Sequence, residues 1–215
     1  KTNVADIFRE IDEELQQEKA ANLWQRYGGW VIAIAVGVVL AVAGNVFWTR
    51  YSTERQAERG DRYEAAADLV TSGKPKDAAE AFAKLADDAG SGYATLARLR
   101  EASALAAAGD TDAALAVFQK IAAEGEAPYA DLGRVWAARM RIGKADAATL
   151  VAELAPALAV GNPWRPLAVE TEAAIHLQAG ETDKALALYK SLADDATTPS
   201  RLRGRATEMV RALGG

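Results

Sequence analysis

The chain has 215 residues, a formal net charge of −5 and no cysteine. This length suits one domain plus an anchor. The acidic balance and the lack of a basic patch argue against nucleic-acid binding. The missing cysteines exclude disulfides, thiolate metal sites and a cysteine nucleophile. Beyond residue 50 the chain is rich in alanine and lacks alternating Val/Thr-rich runs, which favours helix throughout.

Residues 1–27 form an acidic amphipathic arm. Its apolar residues recur at helical spacing and are Val4, Ile7, Phe8, Ile11 and Leu15. A helix that lies on a lipid surface carries basic residues on its polar face, whereas this one is acidic. The arm is therefore predicted either to contact a protein or to be a frayed leader.

The segment between Arg26 and Arg50 carries no charged residue. At about 1.5 Å of rise per residue, such a helix crosses a hydrocarbon core about 30 Å thick. Aromatic residues flank both ends: Trp24, Tyr27, Trp30, Phe47, Trp48 and Tyr51. We expect residues 28–50 to be a transmembrane helix. A buried core helix is one alternative, and a signal peptide cleaved after Ala43 is another, although signal peptides have a short basic start.

Small residues lie on one ridge of this predicted membrane helix. Ala33, Gly37 and Ala41 are four residues apart, and Gly44 and Asn45 lie at the end of the ridge. Small side chains let a second helix approach closely, and an amide in the membrane seeks a partner. The ridge predicts docking against another membrane protein, or it reflects only how common Gly and Ala are in such helices.

The basic residues that flank the predicted membrane helix do not decide which end of the helix faces the cytoplasm.

Beyond Tyr51 the chain repeats a pattern of glycine, alanine five residues later, an aromatic nine later and an aliphatic twelve later. The three copies are Gly73, Ala78, Phe82, Leu85; Gly109, Ala114, Phe118, Ile121; and Gly180, Ala185, Tyr189, Leu192. A weaker copy begins at Gly143, with Ala148 and Ala152. Successive glycines are 36, 34 and 37 residues apart, which is typical of a helix–turn–helix solenoid. Each glycine should end a first helix in a left-handed conformation, and Thr111 and Thr182 should cap second helices.

This pattern resembles the tetratricopeptide repeat. Ala66, Ala102 and Ala173 fit the small position of its first helix, whereas Trp136 in the weaker copy does not. The resemblance implies a divergent tetratricopeptide-like solenoid over residues 51–215, and with the transmembrane helix predicted above the whole chain is expected to be all-α. We expect about four helix pairs, at 55–89, 92–124, 127–160 and 163–196, and a C-terminal capping helix at 199–213.

Three aromatic residues recur near the start of successive first helices: Tyr93, Tyr129 and Trp164. In a tetratricopeptide array these helices line the concave face. A row of rings there could hold an extended peptide, or the rings could simply pack under the loops.

No catalytic pattern is present in the sequence. His176 is the single histidine, and it takes a position where the repeat usually packs an aromatic. It lacks the neighbours of a zinc site, and no glycine cluster precedes Lys-Ser or Lys-Thr. We expect a non-enzymatic protein without cofactor or metal. The rival interpretation is an enzyme whose site is assembled from scattered carboxylates.

The N-terminal motifs carry a second resemblance. Residues 6–15 read Asp-Ile-Phe-Arg-Glu-Ile-Asp-Glu-Glu-Leu and residues 24–28 read Trp-Gln-Arg-Tyr-Gly. With one membrane helix and degenerate repeats, the chain resembles the YfgM-type ancillary subunits of the Sec translocon. This resemblance implies a bacterial inner-membrane protein with a cytoplasmic N-terminus and periplasmic repeats. It also implies the SecYEG channel and periplasmic chaperones or emerging chains as partners. One alternative is an accessory subunit or assembly factor of another inner-membrane complex (respiratory or cell-envelope). Another is self-assembly through the repeats.

Overall fold

The computed structural model describes the backbone of residues 4–88 and 91–215, and the side chains of residues 24–88 and 93–215 except those of residues 31 and 35. These residues contain α-helices and no strand. The helices are α1 (Val4–Thr71), α2 (Pro75–Asp88), α3 (Ser91–Ala107), α4 (Thr111–Glu124), α5 (Tyr129–Met140), α6 (Ala147–Leu158), α7 (Arg165–Gln178), α8 (Thr182–Asp194) and α9 (Ser200–Ala212). The predicted all-α class is confirmed.

The chain divides into two compact units, Lys1–Glu58 and Arg59–Gly215. In the first unit, α1 contains an apolar stretch that is not buried by other parts of the protein. Among the described residues, Trp24–Thr71 is the one helical segment long and apolar enough to cross a membrane. Residues 1–3 and the side chains of the acidic arm's apolar stripe lie outside the described residues.

The second unit is a series of helix pairs in which each helix packs against the next. The end of α1 pairs with α2, α3 with α4, α5 with α6 and α7 with α8, and α9 closes the series. Gly73, Gly109, Gly143 and Gly180 occupy the turns within the pairs, with φ between 73° and 84°. A side chain is strained in this left-handed region, which glycine adopts freely. The predicted role of these glycines is confirmed.

The predicted threonine caps are wrong. Thr111 and Thr182 are the first residues of α4 and α8 rather than their caps. The N–H of Ala113 donates to the Asp110 carboxylate at 3.2 Å, and Asp146 accepts from the N–H of Thr149 at 3.0 Å. At α4 the aspartate before Thr111 thus satisfies a free amide of the helix start, whereas at α8 Glu181 precedes Thr182 and makes no side-chain capping hydrogen bond.

The repeated side chains form the core of the pairs. In three of the pairs, the repeated alanine, ring and aliphatic residue of the second helix are all buried: Ala78, Phe82, Leu85; Ala114, Phe118, Ile121; and Ala185, Tyr189, Leu192. The ring of each set packs with the alanine of its own first helix: Phe82 with Ala66, Phe118 with Ala102, and Tyr189 with Ala173. The close approach of the two helices depends on that small side chain.

The third pair departs from the sequence-based register by two residues. Its turn spans residues 141–146 and is longer than the others, so Ala148 and Ala152 are exposed. Leu150, Leu154 and Ala157 are buried in their place. The prediction that Ala148 and Ala152 take the repeat positions is therefore wrong, because two extra residues lie between Gly143 and the start of α6.

The residue that precedes each second helix gives the true period of the repeat. These residues are Lys74, Asp110, Asp146 and Glu181, at intervals of 36, 36 and 35. Eight residues before each lies a fully buried alanine of the first helix: Ala66, Ala102, Ala138 and Ala173. Ala138 is thus the small residue of the third pair, and the apparent misfit at Trp136 disappears.

Candidate protein-binding face

The first helices of the last two pairs and the closing helix α9 contact one another directly. Helix α5 packs against α7, and α7 packs against α9, although another helix separates each of these in sequence. In repeat proteins the helices that line the concave side of the array provide the extended binding surface.

Arginine side chains bridge these neighbouring first helices. Arg100 Nε donates to Tyr63 Oη at 2.7 Å. Arg139 Nη1 donates to the Glu170 carboxylate at 3.1 Å. Arg205 on α9 donates to both oxygens of Glu170, at 2.8 and 2.9 Å. We call the surface formed by Tyr63, Arg100, Trp136, Arg139, Glu170 and Arg205 the inner face.

Glu170 is the buried centre of the inner face, with 7% of its surface exposed. Burial opposes its ionisation, but hydrogen bonds from Arg205 and Arg139 outweigh that effect, so the pKa of Glu170 is lowered. Two parallel N–H···O bonds from one guanidinium fix both partners in place. Glu170 therefore holds the closing helix against α7 and links it to α5.

Trp136 forms an exposed platform next to this cluster. Its ring is stacked on buried Phe118, with centroids 6.0 Å apart and an interplanar angle of 20°. The Arg139 guanidinium lies 5.5 Å from the centroid of the Trp136 ring, which is within the range of a cation–π interaction. Trp136 is nevertheless 39% exposed, so a rigidly held aromatic surface remains open to solvent.

The three predicted aromatic residues take equivalent positions in the corrected register. Tyr93, Tyr129 and Trp164 each lie nine residues before the buried alanine of their first helix. Tyr93 and Tyr129 are exposed, whereas Trp164 is half-buried. Among the described side chains no ring contact joins the three. The structure repeats their position from pair to pair without bringing them into contact.

Trp164 immediately precedes α7, and its backbone is hydrogen-bonded to the loop before that helix. Its backbone N–H donates to Asn162 Oδ1 at 2.9 Å, and Asn162 Nδ2 donates to Asp131 Oδ2 at 2.7 Å. The indole Nε1 is buried and makes no hydrogen bond within the described part of the chain. Tyr93 and Tyr129 are the more accessible of the three for a partner.

The predicted membrane ridge is open on the structure. Ala33, Gly37, Ala41, Gly44 and Asn45 are all exposed. A Cβ atom added at Gly37 or Gly44 would have no atom within 4 Å outside the helix's own backbone. There is space for a second helix at this ridge, and docking there stays a prediction.

His176 lies between two carboxylates, with Nδ1 hydrogen-bonded to Glu181 and Nε2 3.9 Å from Glu172. Among the described residues no group of three or more His, Cys, Asp or Glu side chains could hold a metal ion. The geometry around His176 is that of a partly buried packing residue.

A family model described as a tetratricopeptide repeat-like domain matches residues 21–209. The chain belongs to this family. No curated protein and no solved structure matches it. The tetratricopeptide repeat-like fold is a helical scaffold that binds proteins. The family match covers both the candidate membrane span and the helix pairs, but it does not distinguish a YfgM-type subgroup.

The Glu170 cluster predicts a pH-dependent loss of stability. Glu170→Gln should lower the free energy of unfolding by about 1–2 kcal/mol near pH 7, because it removes the charged partner of Arg139 and Arg205. The loss is limited to this size because Arg205 is half-exposed and solvent partly screens its charge. The folded pKa lies below the usual 4.5. The stabilisation is thus present above that value and is lost as the pH falls through the folded pKa. Thermal unfolding followed by circular dichroism at about pH 7 and about pH 3 measures both effects.

Glu153→Gln is the matched control for this prediction. Glu153 pairs with Arg141 at 2.6 Å, but its side chain is 42% exposed. A solvent-exposed ion pair contributes less than about 1 kcal/mol. Equal effects of the two substitutions at both pH values would contradict the structural role assigned to Glu170.

Proposed function

We propose that this chain is a non-enzymatic scaffold, anchored in a bacterial inner membrane, that serves as an ancillary subunit of the Sec translocon. It would link the channel to periplasmic chaperones or to emerging chains. The observation that carries the proposal is the uncharged, unburied apolar stretch of α1, which precedes a tetratricopeptide repeat-like array. The resemblance of residues 6–15 and 24–28 to YfgM-type proteins supports the choice of the Sec translocon.

Three segments have separate roles in this proposal. Residues 1–27 are the cytoplasmic arm, residues 28–50 cross the membrane, and residues 51–215 form the periplasmic repeat domain. The ridge from Ala33 to Asn45 docks on a membrane partner through its small side chains. The inner face, with Tyr93 and Tyr129 beside it and Trp164 at the same register position, contacts the periplasmic partner.

Co-purification after extraction in a mild detergent tests the partner. Recovery of SecYEG with the full chain supports the proposal. Recovery of a respiratory or cell-envelope complex without SecYEG overturns it and favours the role of an accessory subunit or assembly factor in that complex.

The substitution Gly37→Leu tests the membrane ridge. The larger side chain fills the open ridge, so this variant should recover less of the membrane partner in the same experiment.

The absence of cysteine allows a direct test of orientation. Ser103→Cys lies on the exposed surface of α3, and Gln17→Cys lies in the N-terminal arm. Intact cells are treated with a thiol reagent that crosses the outer membrane but not the inner one. We expect labelling at position 103 alone, with both sites labelled after lysis. Labelling at position 17 alone in intact cells would remove the proposed role at the periplasmic exit.

A further inference from the structure

We propose that the inner face between α3 and α9 binds an acidic protein segment that carries apolar or aromatic side chains. This inference rests on the proposed function as a protein-binding scaffold, and it names the chemistry of the partner.

The charge of the inner face is opposite to that of the whole protein. Arg100, Arg139 and Arg205 contribute three positive charges to it, and Glu170 contributes one negative charge, whereas the chain has a net charge of −5. On α1 the position equivalent to Arg100 is occupied by Glu64, which is acidic. The basic part of the inner face therefore begins at α3. A local basic surface on an acidic protein attracts acidic segments and repels basic ones.

The arginines keep donors free for a ligand. A guanidinium has five N–H donors in a planar fork. Arg205 uses two of its nitrogens on Glu170, and its side chain remains 52% exposed. Arg100 is exposed and uses Nε on Tyr63. The existing hydrogen bonds hold these side chains in place, which reduces the entropy lost when a carboxylate binds to them.

Exposed apolar side chains accompany the arginines on the same helix faces. Leu96 lies four residues before Arg100, and Tyr93 three residues before Leu96, so the three share one face of α3. On α5, Tyr129 and Trp136 are two turns apart on one face. All four apolar side chains are exposed. A rigid aromatic ring next to an arginine is typical of binding-energy hot spots in protein interfaces.

This combination favours a protein segment over a nucleic acid. Three arginines are few for a polyanion, and the remaining acidic surface would repel one. An acidic peptide with apolar side chains instead satisfies both features, because its carboxylates reach the arginines and its apolar groups cover Trp136 and Leu96.

Binding is tested with the purified full chain in a mild detergent and three labelled peptides of equal length, by fluorescence anisotropy. One peptide alternates Glu with Leu and Phe, the second alternates Glu with Ser, and the third alternates Lys with Leu and Phe. We expect the first to bind at least about tenfold more tightly than the others, and its binding to weaken as salt is added.

Variants locate the binding site. Arg100→Gln and Trp136→Leu should each weaken binding of the first peptide by about three- to tenfold. Lys120→Gln removes the same charge from an exposed position on α4, a second helix, and should leave binding unchanged. Circular dichroism checks that each variant is folded. If Trp136→Leu perturbs the fold, Arg100→Gln carries the test, since its side chain is exposed.

Several outcomes would overturn the inference: no binding of the first peptide, equal binding of the Glu/Ser peptide, or equal losses in the Lys120 and Arg100 variants. Preferential binding of the Lys peptide, weakened by Trp136→Leu, also overturns the acidic preference but leaves the inner face as a protein-binding surface. The co-purification experiment is independent of these peptides, so failure of the inference is distinguishable from failure of the proposed function.

Discussion

Replacing Leu154 with alanine should destabilise the repeat domain by about 3 kcal/mol, since removal of a buried leucine costs about 2–5 kcal/mol. Leu154 is fully buried in the core that the third pair shares with α7, where it packs with Val135, Ala138, Leu150 and Ile175. For a domain of this size, that loss corresponds to a fall in Tm of about 10 °C. Thermal unfolding of the full chain in detergent, followed by circular dichroism, measures it.

Ala152→Leu is the matched control, because it tests the register directly. Counted from Gly143, position 152 is where the other repeats bury a ring, and a larger apolar residue should then fill the core. In the structure Ala152 is exposed, so the substitution should change stability by less than about 0.5 kcal/mol. Strong stabilisation by Ala152→Leu together with a harmless Leu154→Ala would show that the third pair follows the glycine register.

The sequence predicted most of the repeat domain because its signals are local. A glycine at positive φ, a small alanine and a buried ring recur within single turns and helices, where spacing along the chain decides which side chains meet. The third pair was the exception. Gly143 lies five residues after Ala138, two fewer than in the other pairs, whereas α6 keeps its spacing from Ala138, so a register anchored on the glycine failed there. The alanine at position 138 and the aspartate cap at position 146 carried the correct register.

The candidate protein-binding surface, which is the inner face together with the three recurring aromatic residues, could be predicted only in part. Tyr93, Tyr129 and Trp164 follow the period of the repeat, and a repeated position is visible in the sequence. The Glu170 cluster is different, because Arg139 and Arg205 lie 31 and 35 residues from Glu170. Their pairing depends on how closely α5, α7 and α9 approach one another, which is a property of tertiary packing. The one sequence signal was Trp136, a large ring that did not fit the small position assigned to it.

Introducing two aspartates into the apolar stretch should release the chain from the membrane fraction. Ten Val, Ile, Leu and Phe residues lie between positions 31 and 47, and each favours insertion by about 0.3–0.6 kcal/mol at the centre of a helix. Val38→Asp with Val42→Asp removes two of these residues and adds about 5–7 kcal/mol of unfavourable transfer. The unfavourable contribution then exceeds what the remaining eight can supply. Alkaline extraction of membranes, followed by blotting of pellet and supernatant, measures the retained fraction.

Two aspartates placed elsewhere on α1 separate insertion from a general effect of added charge. Ala57 and Ala65 are exposed on α1 beyond the uncharged run, so Ala57→Asp with Ala65→Asp should leave the chain in the membrane pellet. If the substitutions at 38 and 42 leave the chain equally resistant to extraction, the apolar stretch is not the anchor. If both pairs release it, helix disruption rather than the cost of burying charge is the cause. Only selective release by the first pair supports a bilayer-spanning role, because the same chemical change then acts through position alone.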